Sequence, residues 1–273
     1  MFRIEKRQTG VQAALRTVDL IYHNTVRSVR RGHSNAIIGL LMNIFQMLVM
    51  IAVFYALFQI MGMRGAAIRG DYFLYLMTGI FTFMTNVKTM GAVAGAEGPT
   101  SAMMLHAPMT TAIAISSAAL AALYTQILSL VAILGIYHLA VTPIEIYDPV
   151  GVMAMIILAW FSGACVGLVV LAAKPWAPGI VGIATTIYSR VNLIFSGKMF
   201  VGNALGYTML KFFDWNPLFH IIDQARGYAF IDYYPHNSSI AYPVYLSLSL
   251  LMIGLMGEFY GRRHVSLSWF AGK

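Results

Sequence analysis

From Gly32 to Met63 the chain contains no Asp, Glu, Lys or Arg. An uncharged run that long cannot be an ordinary surface helix. It exceeds the roughly 20 apolar residues that cross a 30 Å hydrocarbon layer, so the first span is predicted to tilt or to extend beyond that layer. The rest of the chain agrees with this reading: 59% of its residues are hydrophobic, 10% are charged, and the mean hydropathy is +0.72. Soluble domains carry about a quarter charged residues, so an all-α integral membrane protein is expected.

The net charge of +8 does not point to nucleic acid, because the basic residues gather at the ends rather than on a polar domain. Arg3, Lys6, Arg7, Arg16, Arg27, Arg30 and Arg31 precede the first apolar run, and Arg262, Arg263 and Lys273 follow the last one. Excess basic charge marks the cytoplasmic side, which places both termini there. The first run is long enough to span, and the basic region before it is too long for a cleavable signal, so none is expected. The single cysteine, Cys165, lies in an apolar stretch and reads as a small buried hydrophobe.

Residues 1–33 form a predicted cytoplasmic N-terminus. Within it Val11, Leu15, Val18, Tyr22, Val26 and Val29 recur at helical spacing, with Arg16, Asp19, His23, Arg27 and Arg30 elsewhere around the helix. This is the pattern of an amphipathic helix on the inner membrane surface. Residues 34–260 then divide into six predicted spans, and residues 261–273 form a cytoplasmic tail. Arg64, Arg69 and Asp71 mark an outer turn. A second span runs from Tyr72 to Val87, with Lys88 able to snorkel inward. Met109–Ala140 and Gly151–Ala173 are the third and fourth, the latter with Gly163 and Gly167 at a spacing that allows close helix approach. A tight turn, Lys174–Pro178, leads into the fifth span, and the sixth runs from Pro243 to Tyr260.

Two stretches break the apolar pattern. Between the second and third spans, Ala94–Ser101 is short, polar and bracketed by Gly and Pro, with Met103, Met104 and Leu105 just beyond. It reads either as a plain turn or as a short helix offering one acid, Glu97, and an adaptable apolar face to a partner. From Arg190 to Tyr242, charged and amide residues alternate with Phe, Trp, Tyr and Leu. That is too polar for a lipid-facing span and too apolar for a free loop, so short re-entrant or interfacial helices are expected over about 198–240. Trp215, Tyr228, Tyr233, Tyr234 and Tyr242 suit the membrane interface.

No GxxxxGK[ST] phosphate loop, HExxH or nucleophile set is present, so no enzyme activity is expected. His220 and Asp223 are spaced to share a helix face, where a local hydrogen bond is a commoner outcome than a metal site.

The order of surface helix, two spans, short inner helix, three spans, re-entrant outer segment and last span resembles the permease subunit of type 2 ABC exporters. Within them it is similar to the polysaccharide branch, the capsule and O-antigen permeases. The likeness is carried by Val26–Arg31 leading into the first span, by Gly91–Pro108, and by Trp215-Asn216-Pro217-Leu218-Phe219-His220 with Arg226, Gly227 and Tyr228 after it. The Gly-Pro-Thr-Ser of the inner stretch departs from that pattern.

The resemblance implies a multi-pass protein of a bacterial inner membrane, working as a homodimer bound to two copies of a separate ATPase. ATP and Mg would belong to that partner, leaving no cofactor in this chain. Residues 95–107 would be the coupling helix, with Glu97, Met103, Met104 and Leu105 in contact with the ATPase. The substrate would be a lipid-linked glycan, passed on to periplasmic and outer-membrane export components. Phe45, Tyr55, Phe58, Tyr72 and Tyr75 are candidates to stack on sugar faces, although lipid and core packing is the commoner role of any one aromatic in a membrane helix. Arg190 and Lys198 lie in a stretch with no acid between Asp148 and Asp214, so they either snorkel and pair structurally or line the route of an anionic substrate. An exporter of small lipids or drugs would share the layout. An ion-coupled carrier would need acids within its spans, and there are almost none.

Overall fold

A computed structural model describes residues 10–31, 36–60, 70–98 and 110–264, together with Ile68. Among these residues the protein is all-α. Its helices are α1 (Gly10–Arg31), α2 (Ala36–Ile60), α3 (Tyr72–Ala94), α4 (Thr111–Ala140), α5 (Pro149–Ala173) and α6 (Pro178–Phe195). A 3-10 turn at Gly202–Ala204 then precedes α7 (Tyr207–Phe213), α8 (Pro217–Ala229) and α9 (Ala241–His264).

Helix starts follow local chemistry. Asp71, Thr110, Asp148 and Asn216 cap α3, α4, α5 and α8 by accepting from backbone N–H groups of the first turn. Proline occupies the first turn of α5, α6 and α8, where its missing N–H costs nothing.

Among the described residues, four helices, α2, α4, α5 and α9, are long and apolar enough to cross a membrane. The expected count was six. The two others, α3 and α6, are more polar, and for different reasons. α3 is enclosed by protein along most of its length, from Leu74 to Asn86 without a break, so it has no need to match lipid. Its hydroxyls bond back to the helix, Thr78 to the Tyr75 carbonyl at 2.9 Å and Thr82 to that of Thr78 at 2.7 Å. α6 is mostly exposed and carries Thr185, Thr186 and Ser189 along one side, each donating to a carbonyl one turn earlier.

The centre of the molecule is the packing of α3 on α5. Gly163 and Gly167 bring the two backbones together: a Cβ at Gly163 would lie 2.3 Å from the Asn86 carbonyl oxygen, and one at Gly167 2.7 Å from that of Met90. The Asn86 amide then donates to the Ala159 carbonyl at 3.1 Å. On its other side α5 packs against α9, where Gly254 faces Leu168. Short α8, buried on most of its surface, closes one end of this layer against α5 and α3.

α1 packs along α4, and Ser117 donates to the Ile21 carbonyl at 3.2 Å. Val11, Leu15, Val18, Tyr22 and Val26 nevertheless remain exposed. The apolar stripe thus points away from the protein, as a helix resting on lipid requires. Val29, counted with that stripe in the sequence, is half-buried.

Lys88 lies within α3 rather than just beyond a span, because the helix continues to Ala94. The described part of the inner stretch, Gly95 to Gly98, is a turn and irregular chain rather than helix. Met103, Met104 and Leu105 lie outside the described residues.

Candidate functional site

Three residues one turn apart on α8, His220, Asp223 and Arg226, hold together the irregular chain on both sides of it. Each of the three is buried. Asp223 accepts from the Gly202 N–H at 3.1 Å, from Ser238 Oγ at 2.7 Å and from the Tyr233 hydroxyl. Arg226 donates to the carbonyls of Gly197 at 3.1 Å, of Lys198 and of Phe200, with its guanidinium 4.2 Å above the Tyr75 ring. His220 accepts the Ser239 N–H at Nδ1, so its proton sits on Nε2 and is donated to the Asp214 carbonyl at 2.7 Å. A buried charge needs hydrogen-bonding partners: the terminal Arg226 nitrogens have three backbone carbonyls, and Asp223 has a backbone N–H and two hydroxyls.

The sequence had treated His220 and Asp223 as a pair; the fold gives them separate partners. Among the described residues there is no cluster of three or more His, Cys, Asp or Glu able to hold a metal. Tyr233, expected at the interface, is buried beneath Asp223. Burial and the carboxylate beside it push its phenol up, which keeps the hydroxyl a donor.

Lys198 belongs to the same structural unit. Its side chain is 2% exposed, its amine donates to the Leu193 carbonyl at 2.7 Å, and it lies 3.7 Å from the centre of the Phe83 ring. It thereby satisfies one of the carbonyls left open at the C-terminal end of α6. Among the described residues no carboxylate pairs with it. The structure therefore places Lys198 behind a wall rather than on an open path.

That wall borders an open groove of about 560 Å³ between α3, the end of α5 and α6. Phe83, Met84 and Val87 form its apolar side, with Thr185, Thr186 and Ser189 opposite and Lys174 and Arg190 as its two cations. Its described lining contains no acid. Arg190 is exposed there, unlike Lys198, so the two residues that the sequence suggested together are separated by the fold. Lys174, which sequence reasoning passed over as part of a turn, joins Arg190 because α6 folds back beside α3.

The candidate stacking aromatics also divide. Phe58 and Tyr75 are core residues, Tyr72 is half-buried between them, and Tyr55 and Phe45 are exposed. Tyr55, Phe58 and Tyr75 have ring centres within 6.2 Å of that of Tyr72, forming one cluster at the α2–α3 contact. Phe45 stands apart from it, on a second cavity between α1, α2, α3 and α4 that Glu97 also lines.

No family model and no curated protein matches this chain. The functional reading therefore rests on the order of its elements and on the chemistry of these sites.

Proposed function

We propose that this chain is the membrane-spanning subunit of a bacterial ABC exporter for polysaccharide, carrying a lipid-linked glycan across the inner membrane. In this reading α3 and α6 complete six spans, both termini are cytoplasmic, and α7 with α8 forms the re-entrant outer segment. Two copies of the chain bind two copies of a separate ATPase, which supplies ATP and Mg chemistry in trans. The supporting observation is the element order: an amphipathic helix with an exposed apolar stripe, then long helices, with the helix broken after α3 at residues 95–98 and two short helices before α9. Nucleotide can drive such a subunit only by binding its two conformations unequally, so the connection at residues 95–107 would be where that difference is felt.

The substrate path is proposed along the α3–α6 groove. Arg190 presents a planar donor set suited to phosphate, and the apolar side suits a lipid chain. Lys198, packed on the Phe83 ring, backs the apolar wall; Phe45, Tyr55, Phe58, Tyr72 and Tyr75 lie outside this groove. A proton-coupled carrier is disfavoured because α2 to α6 contain no acid and the one acid of α9, Glu258, is paired with Arg262 and accepts from Thr111. Export of a small lipid or drug remains the second reading, supported by the apolar side of the groove.

Purification of the complex from its native membrane, with identification of the copurifying ATPase and lipid, tests the proposal. Recovery of an ABC ATPase with a glycolipid supports it, and recovery of the chain alone overturns it. Within such a complex, Glu97→Arg or Met104→Asp should leave insertion intact and lower transport together with nucleotide turnover.

A further inference from the structure

The cavity between α1, α2, α3 and α4 measures about 950 Å³. It exists because small residues face it: a Cβ at Gly91 would meet nothing within 4 Å, and Ala118 stands opposite on α4. Most of its lining is apolar, as expected in a membrane helix bundle. It also carries Asn43, Gln46 and Gln126 together with Lys88. Gln46 accepts one hydrogen bond from the Lys88 ammonium, which has three donors to offer. Arg27 and Glu97 also line the cavity, and each makes further interactions. An ionisable side chain inside a membrane helix bundle is by default a functional-site hypothesis.

We infer that this cavity binds the headgroup of an anionic, hydroxyl-bearing glycerophospholipid, such as phosphatidylglycerol. With Lys88 and Arg27 against Glu97, the lining carries one net positive charge, which matches the single negative charge of a phosphodiester, and the Gln46 and Gln126 amides match headgroup hydroxyls. Val49 and Leu128 at the cavity belong to apolar faces of α2 and α4 that are open to the bilayer, where acyl chains would lie. The inference does not depend on the proposed transport activity.

The test is native mass spectrometry of the full chain, delipidated and then offered phosphatidylglycerol, phosphatidylethanolamine or phosphatidylmethanol. The wild-type protein should retain phosphatidylglycerol about tenfold better than phosphatidylethanolamine, a preference of about 1.4 kcal/mol. Phosphatidylmethanol, with the charge but no hydroxyls, should fall between them. Lys88→Met should abolish the preference and Lys88→Arg should keep it, while Ala118→Leu, which fills the space, should lower occupancy by every lipid. Equal retention of the first two lipids by wild-type protein would overturn the inference, with no variant needed. So would an unchanged preference in Lys88→Met, or displacement of phosphatidylglycerol by an equimolar polyprenyl-phosphate-linked hexose, which would assign the cavity to a glycolipid.

Discussion

Gly163 on α5 faces the backbone carbonyl of Asn86 on α3 so closely that a single added carbon would lie 2.3 Å from the oxygen. Two helices with a combined surface of backbone and small side chains gain dispersion contacts that larger residues would prevent, and in lipid that gain is the main attraction between them. Gly163→Ala should cost about 1–3 kcal/mol, since backbone rather than a flexible side chain must yield. Gly135→Ala, at a position where a Cβ meets nothing, serves as the control and should be neutral. Denaturant unfolding in mixed micelles measures both, and equal stability of the two variants would show that α3 and α5 are not held by this contact.

The Arg226 clamp predicts a local effect. Replacing Arg226 with Met removes donors from three carbonyls at once and should destabilise the fold by about 2–4 kcal/mol. Hydrogen exchange should quicken first in residues 197–202, the chain that the guanidinium holds. Arg226→Lys should recover only part of the protection, because one ammonium cannot reproduce a planar fork. Uniform exchange changes across all helices would argue against a local clamp.

Arg190 and Lys198 should now behave differently. Arg190→Gln, on the open groove, is expected to lower export and substrate-stimulated ATP hydrolysis while leaving assembly and thermal stability as they are. Lys198→Gln should lower the melting temperature, because it removes a buried link between the end of α6 and the Phe83 and Phe54 rings. Loss of export without loss of stability in Lys198→Gln would return that residue to the substrate path.

The proposed outer placement of α7 and α8 can be read chemically. With Cys165 replaced by Ala, single cysteines at Tyr207 and Asp232, both exposed, should react with an impermeant maleimide added from outside intact cells. A cysteine introduced at Ser28 should react only after the membrane is opened. Labelling of Tyr207→Cys from the cytoplasmic side alone would invert the proposed topology.

The apolar, multi-helix character and the amphipathic pattern of α1 were legible in the sequence because they depend on local quantities, uncharged length and a 3.6-residue apolar period; the helix starts, set by Asp, Asn, Thr or Pro at a first turn, are equally local and could have been read the same way. Asp148 before Pro149 and Asn216 before Pro217 needed no tertiary information. The value of Gly163 and Gly167 could be suspected from their spacing, but their partner could not. Which polar residues face protein rather than lipid was decided only by the fold. Thr78, Thr82 and Asn86 make α3 more polar than a lipid-facing span because α5 and its neighbours enclose it, and burial by a distant helix leaves no periodic signal of its own. The same holds for Arg190 and Lys198, eight positions apart in one basic stretch. A C-terminal helix end turns one inward to a carbonyl and leaves the other on an open groove, and only the packing of α6 beside α3 distinguishes them.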